Sequence, residues 1–564
     1  MRTVPVHVHA LALACCTFIV GCGDDHASTS DAAVDADVPD AAVDPSDGLF
    51  RPDHVLEVAI TLPPADWSVL RTQREDASSR TTCSHQPTTP GYTYFSAEIT
   101  IDGVRIPNVG LRKKGGLGSL SATRPGLKVK ANEYVSGQRI FGLKQITLNN
   151  NHQDPTLISQ CLGYGLFRTA GLKASRCSFA HVVVNGDDLG VYSNVETIGG
   201  EFLDRNFIDG SGRLYESGGD FTPTATADFQ PKTNSSAPNC GDLDPVVAAL
   251  GAPDNQLVSQ LGSVVDLDQY MRFWAMEVVT DHWDGYANNR NNAFFYHDPT
   301  SNRIQFLPWG IDALFTGRER TTRPYSVFAC GSMAWRLYNA APTRALYLAA
   351  LRSVMADVWN ETAILAEVDR MEALLTPIAD PTHTGKLAGE IARVRIFIAG
   401  RKQKLKAEID AGDPVWPYAA DKSCLPKIGN LSSTFTSPWA SLDQFGAGSG
   451  TMTGTVSSVA LASSTVYASS GIASDGKATI QLFVPLADGR YAVVFIPADP
   501  AYFTVGAHPI DLSNVFALMV FYDPVTNKTS GGGLMLPGTL TLTTVNMTPG
   551  APVVGSISGD IVEL

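Results

Sequence analysis

Thr280-Asp281-His282-Trp283-Asp284-Gly285-Tyr286-Ala287-Asn288-Asn289-Arg290-Asn291-Asn292 runs straight into Ala293-Phe294-Phe295-Tyr296. After a polar turn come Ile304-Gln305-Phe306-Leu307 and Pro308-Trp309-Gly310-Ile311-Asp312. The two apolar four-residue runs, separated by His-Asp-Pro-Thr-Ser-Asn-Arg, read as a hairpin. A loop rich in Asp and Asn precedes it and one Asp follows it. Hard Mg²⁺ takes oxygen ligands, and phosphoryl transfer depends mostly on positioning and charge neutralisation. Carboxylates and amides at the two ends of one hairpin suit that chemistry.

Upstream, residues 266–279 read as a helix. Leu267, Tyr270, Met271, Trp274 and Val278 recur at helical spacing, and Asp266 with Gln269 has the form of a capping box. This helix delivers the chain into the Asp-Asn loop. Earlier, strands are expected at 55–62, 94–101, 104–111, 126–129 and 145–148. A helix follows at 157–170, then strands 180–184 and 191–195, with Asp102-Gly103 and Asn185-Gly186 as hairpin turns. Downstream, two helices are expected at 362–375 and 385–409. The second buries Leu387, Ile391, Val394 and Ile398, and its end, Arg401-Lys402-Gln403-Lys404, reads as a solvated C-terminus favoured by the helix dipole. After Pro426 the chain turns to Gly, Ser and Thr with short apolar runs at 478–484, 491–496, 515–522 and 538–545. These predict an antiparallel β-sandwich or barrel, an accessory binding or packing module without chemistry of its own.

With 564 residues the chain exceeds a single core. Its formal charge of -14 is concentrated: residues 23–48 hold eight Asp and neither Lys nor Arg. Nothing points to nucleic acid as a partner. That segment repeats Asp-Ala-Ala-Val-Asp with no aromatic before Phe50, a composition that cannot bury a core and predicts a disordered spacer. Ahead of it, Arg2 and the apolar run 11–20 form a targeting segment too short to span a bilayer. Ile19-Val20-Gly21-Cys22 resembles the bacterial lipobox. The resemblance implies acylation of Cys22 and a lipid-anchored protein exported to the bacterial cell envelope. The expected organisation is therefore a signal peptide (1–21), a linker (22–48), a domain (49–425) and a β-rich module (426–564).

Six cysteines remain, Cys83, Cys161, Cys177, Cys240, Cys330 and Cys424. An even count in an exported chain predicts at least two disulfides. Fifteen pairings are open, and no Cys/His spacing suggests zinc. The absence of Gly-x-Ser-x-Gly and His-Glu-x-x-His argues against the common serine hydrolases and zinc proteases. Gly115-Gly116-Leu117-Gly118 lacks the Walker spacing.

Five segments, in order, resemble the CotH family, spore-coat protein H and its relatives. They are Val109-Gly110-Leu111-Arg112-Lys113-Lys114-Gly115-Gly116; Gly126-Leu127-Lys128-Val129-Lys130; residues 143–149; Val184-Asn185-Gly186 with Gly190-Val191-Tyr192 and Glu196; and Asp284 to Asn292 with Pro308 to Asp312. The resemblance implies an α+β, atypical protein-kinase-like domain that binds ATP and Mg²⁺ and phosphorylates protein Ser or Thr. By position, it makes Asp312 a metal ligand and Asp284 the acid that orients a hydroxyl or binds metal. Asp281 is a second acid of the loop, catalytic or a cap to the preceding helix. Asn292 is the amide metal ligand, although a five-residue spacing after the Asp would choose Asn289. Lys128 or Lys130 meets phosphate with Arg112 nearby, and Glu196 orients a Lys or meets the nucleotide. Gly310 departs from the family's Trp-Asp-x-Asp. That lost carboxylate keeps a second expectation open, a non-catalytic surface protein that binds a partner through a degenerate kinase-like domain.

Overall fold

A computed structural model gives the fold. It describes residues 44–563 apart from 74, 76–78, 88–90, 117–118, 234–239, 318–322, 379–380, 420–426, 474–475 and 511–514, and apart from the side chains of 381–386. The expected signal peptide, Cys22, most of the spacer and Cys424 lie outside the described residues. The chain parts into two compact units between residues 422 and 423.

The first unit begins with β1 (Val55–Thr61), α1 (Pro64–Thr72), β2 (Phe95–Ile101), β3 (Val104–Lys114), β4 (Gly126–Lys130), β5 (Gln145–Asn149), α2 (Ser159–Thr169), β6 (Cys177–Val184) and β7 (Asp187–Val195). The strands close into a barrel in the order β1-β2-β3-β4-β5-β7-β6, with β6 returning parallel to β1. Asp102-Gly103 and Asn185-Gly186 both have left-handed backbones, as two-residue hairpin turns require. Leu56, Val58, Ile60, Val109, Leu111, Leu127, Val129, Ile146 and Leu148 fill the barrel. Each such side chain stabilises by about 1.5–3 kcal/mol. Strand alternation then turns Arg112, Lys114 and Lys128 to the other face.

The same unit continues with α3 (Gly200–Asn206), β8 (Arg213–Glu216), β9 (Gln230–Pro231), α4 (Asp244–Leu250), α5 (Asp254–Gly262), α6 (Leu267–Val279), α7 (Tyr286–Asn289), β10 (Ala293–Asp298) and β11 (Arg303–Pro308). It ends with α8 (Ser332–Asn339), α9 (Ala341–Ser353), α10 (Glu361–Leu375) and α11 (Pro381–Asp410). A four-stranded sheet runs β11-β10-β8-β9, and β10 and β11 are the expected hairpin, paired from Ala293↔Pro308 to Asp298↔Arg303. Helix α6 is buried over most of its length, with Trp274 stacked on Tyr347 at 3.8 Å. Asp266 caps it by accepting from Gln269 N, but the Gln269 side chain does not complete a capping box. Its amide grips the hairpin instead, donating to Phe306 O at 2.6 Å and accepting from Phe306 N at 3.0 Å. A barrel-lobe loop and the segment after β9 are joined by Cys83–Cys240, and Cys161–Cys177 ties α2 to β6.

Two expectations need correction. The basic end of α11 is not wholly solvated: Arg401 is 3% exposed, donates to Val278 O and Val279 O, and lies 3.6 Å from Asp281 Oδ1. Residues 44–48, the end of the expected spacer, are built into the structure, with Ser46 fully buried next to the domain's Leu49. Leu49 is buried, and its carbonyl accepts from Ser178 Oγ and Asn194 Nδ2, while Arg176 holds Asp47 and Ser46.

In the second unit eight strands close on themselves. The order is Lys427–Pro438, Pro552–Glu563, Lys528–Thr544, Leu518–Asp523, Tyr491–Ala498, Ala478–Pro485, Ser463–Ile472 and Gly448–Val456, which pairs back with the first. Of the two expected architectures this is the barrel. Among the described residues no helix is long and apolar enough to cross a membrane.

Candidate functional site

Asp312 sits where the hairpin returns to the barrel lobe. Trp309 packs edge-on against Phe294, and Gly310, at φ 55° and ψ 37°, turns the chain into the short 3₁₀ turn Ile311–Ala313. Helix α2 comes so close to this turn that a Cβ on Gly163 would lie 2.4 Å from Leu314 Cδ1. Asp312 is therefore buried, at 8% exposure. Among the described residues no other residue donates a hydrogen bond to its carboxyl. Burial pushes that carboxyl up to about 7; Lys114 pulls it down, while Asp154 and Asp284 push it further up. Charged side chains from three other segments thus act on the Asp312 carboxyl.

Asp284 is organised by amides. Asn289 Nδ2 donates to Oδ1 at 2.6 Å, Asn291 Nδ2 to the same oxygen at 3.3 Å, and Asn292 Nδ2 to Oδ2 at 2.6 Å. Both candidate amides of the sequence reading, Asn289 and Asn292, thus bind the same carboxylate. Arg290 and Asn292 take left-handed backbones to bring this about, a conformation Asn tolerates better than most residues. Asn292 Nδ2 also donates to Gly310 O at 3.1 Å. A Cβ at position 310 would lie 2.4 Å from Asn292 Oδ1. The Asn292 amide fills the space into which a larger residue 310 would project.

The barrel face supplies the cations. Arg112 and Lys128 are direct cross-strand partners, and Lys114 follows on β3 opposite Gly126. Lys128 is buried at 1% exposure. Lys130 is placed differently: it pairs with Glu133 at 3.1 Å and lies over the Tyr94 ring. Two further candidates hold structure instead of the site. Asp281 accepts from Thr316 Oγ1 at 2.8 Å and Gly317 N at 3.2 Å and faces Arg401. Among the described residues Glu196 meets no Lys; Arg176 and Arg205 take both its oxygens.

Several residues of this region escaped the sequence reading. Asp154 lies just ahead of α2 and accepts from Thr156 N, Ser159 N and Ser159 Oγ. The run Asp154-Pro155-Thr156 before a helix was a legible cap signal. Lys114 was hidden among three consecutive basic residues. Glu277, within α6, is fully buried; it accepts from Tyr286 N and Ala287 N, and burial pushes its carboxyl up to about 8. Beside it the His282 ring is held neutral, its pKa lowered to about 3 by burial. No periodicity announces an acid turned inward at such a position.

The sequence model of the family described as CotH kinase protein matches residues 111–405. This chain belongs to the CotH kinase family. Invasin CotH7 of Rhizopus delemar is 24% identical over 263 residues, covering 43% of this chain and 44% of the invasin. The inner spore coat protein H of Bacillus subtilis is 25% identical over 190 residues, covering 32% of this chain and 51% of the coat protein. The chain thus spans about half the length of these curated relatives. The crystal structure of the Helicobacter pylori proinflammatory kinase CtkA aligns with 53% of this chain and 94% of that one, at a TM-score of 0.25 and 9% identity. The first unit is an α+β CotH kinase-like domain, and an all-β barrel follows it.

Proposed function

We propose that this CotH protein binds Mg-ATP between the basic face of its first barrel and the Asp284–Asp312 cluster, and transfers the γ-phosphate to Ser or Thr of a protein. The observation that carries this reading is the buried Asp312 carboxyl, which among the described residues has no side-chain hydrogen-bond partner yet feels the charges of Lys114, Asp154 and Asp284. Such a carboxyl suits a hard cation, and the neighbouring donors, the Asp284 carboxylate and the Asn292 amide oxygen, are of the same hard class. When bound, Mg²⁺ would supply charge neutralisation for the phosphates. Asp312 and Asn292 would hold it, with Asp284 at its edge. Arg112 and Lys128 would take the phosphate oxygens, and Lys114 would balance the acid cluster. Asp284, fixed by three amides, would orient the acceptor hydroxyl and take its proton.

A second reading has an observation of its own. Gly310 carries no carboxylate, and the Asn292 amide occupies the adjoining space. Together with relatives named as invasins and a spore coat protein, this favours a surface protein that binds a partner without chemistry. In either reading Cys22 would anchor the chain to the cell envelope through lipid, and the partner is a protein.

The two readings separate in one assay. The full chain is incubated with Mg²⁺ and γ-labelled ATP, alone and with an unstructured Ser/Thr-rich acceptor. Transfer predicts label on Ser or Thr that Asp284→Ala abolishes. Mg-ATP binding without label on any protein would move the assignment to the binding reading.

A further inference from the structure

Lys128 is almost fully buried, and a buried ammonium persists only with partners. Its surroundings come from both halves of the kinase-like domain. Arg112 lies directly across from it on β3. From the other sheet comes Glu216, the last residue of β8, paired with Phe294 of β10 and Gln230 of β9 and 3% exposed. Glu216 Oε2 lies 2.7 Å from Lys232 Nζ, which also donates to Gln230 Oε1 at 3.2 Å. The charges of Lys232, Arg80 and Lys128 all act on Glu216, and those of Arg80, Arg112 and Lys232 on the part-buried Glu75. Among the described residues the charges of Lys232, Arg80, Lys128 and Arg112 thus act on this pair of acids.

The Cys83–Cys240 bridge pins this neighbourhood. Cys83 N donates to Phe229 O and Ser84 N to Ala227 O, so the loop that carries Arg80 is stitched to the segment that carries Lys232. Cations gathered on one partly buried face focus a positive field that attracts an anion.

We infer that Lys232, held in place by Glu216, is a further phosphate-binding residue of the nucleotide site, working beside Lys128 and Arg112. The inference rests on the proposed Mg-ATP reading and extends the phosphate side of that site from the barrel to the second sheet. The Glu216 carboxylate, 2.7 Å from its Nζ, holds Lys232 in place until phosphate arrives.

The test measures dissociation constants of the full chain for Mg-ATP and for adenosine by calorimetry. Lys232→Met should weaken Mg-ATP about tenfold or more, as for loss of a hydrogen bond to a charged group. It should leave adenosine within about twofold, because adenosine has no phosphate, and Lys232→Arg should recover most of the loss. If Lys232→Met does not fold, the double variant Lys232→Met/Glu216→Leu removes both buried charges and should show the same loss. Unchanged Mg-ATP affinity in the Met variant, or equal weakening of ATP and adenosine, overturns the inference and leaves the proposed function standing. No Mg-ATP binding by the unaltered chain overturns the proposed function and the inference with it.

Discussion

Without metal, ionised Asp312 should be a liability that grows with pH. Its carboxyl is pushed up to about 7 by burial, against an ordinary value of 3.8. An acid whose folded pKa lies above its unfolded value costs nothing while both states are protonated. The cost begins as the unfolded chain ionises near pH 4, grows until the folded group ionises near pH 7, and stays constant above. At about 1.36 kcal/mol per unit, three units amount to about 4 kcal/mol. Asp312→Asn removes this titration while preserving shape. In excess chelator, the stability difference between variant and wild type should therefore widen by about 4 kcal/mol in favour of the variant from pH 4 to pH 8. Urea unfolding of both chains, with disulfides intact, measures it. Millimolar Mg²⁺ with ATP should stabilise the wild type at pH 8 and not the variant. A difference that stays flat from pH 4 to pH 8 would show that Asp312 ionises freely in the folded protein and carries no burial cost.

Gly310→Ala forces a Cβ into a left-handed backbone and against Asn292, so it should destabilise the first unit by about 1–3 kcal/mol. The loss should shrink in a Gly310→Ala/Asn292→Ala double variant measured by the same unfolding. Asp281→Ala removes the carboxylate that faces the buried Arg401 guanidinium and should cost about 3–5 kcal/mol of stability, while calorimetry finds Mg-ATP affinity largely retained. Replacing Cys83 and Cys240 together by Ser opens a loop of 157 residues and should lower the unfolding free energy by up to about 5 kcal/mol in the chain-entropy relation.

The barrel hairpins and the hairpin of the site were legible because their signals are local. Alternating apolar residues and Asp-Gly or Asn-Gly pairs need no distant partner to be read. Helix α6 was legible for the same reason, from the spacing of Leu267, Tyr270 and Trp274. The strands at 427–438 and 448–456 were not: Ser433 and Ser437 are buried beside Leu431 and Phe435, so their inward face is not purely apolar. Within the site, Asp284, Asn292 and Asp312 could be named because they flank one hairpin. Lys114, Asp154, Glu216 and Lys232 could not, since only the closing of barrel on sheet brings them near. Burial also decides between residues that a sequence treats alike. It sets Lys128 apart from Lys130, and it makes Asp281 the partner of an arginine while no described residue donates a hydrogen bond to the Asp312 carboxyl.

A Mg²⁺-dependent nucleotide site built on Asp312 would show itself in calorimetric titration of Mg-ATP into the full, disulfide-intact chain. Binding should be saturable, lost on chelation of Mg²⁺ and abolished by Asp312→Ala. At a hundred times the dissociation constant, that binding should add about 2.7 kcal/mol to the stability of the fold. No binding at millimolar Mg-ATP by the folded wild type, or equal binding by Asp312→Ala, would contradict such a site.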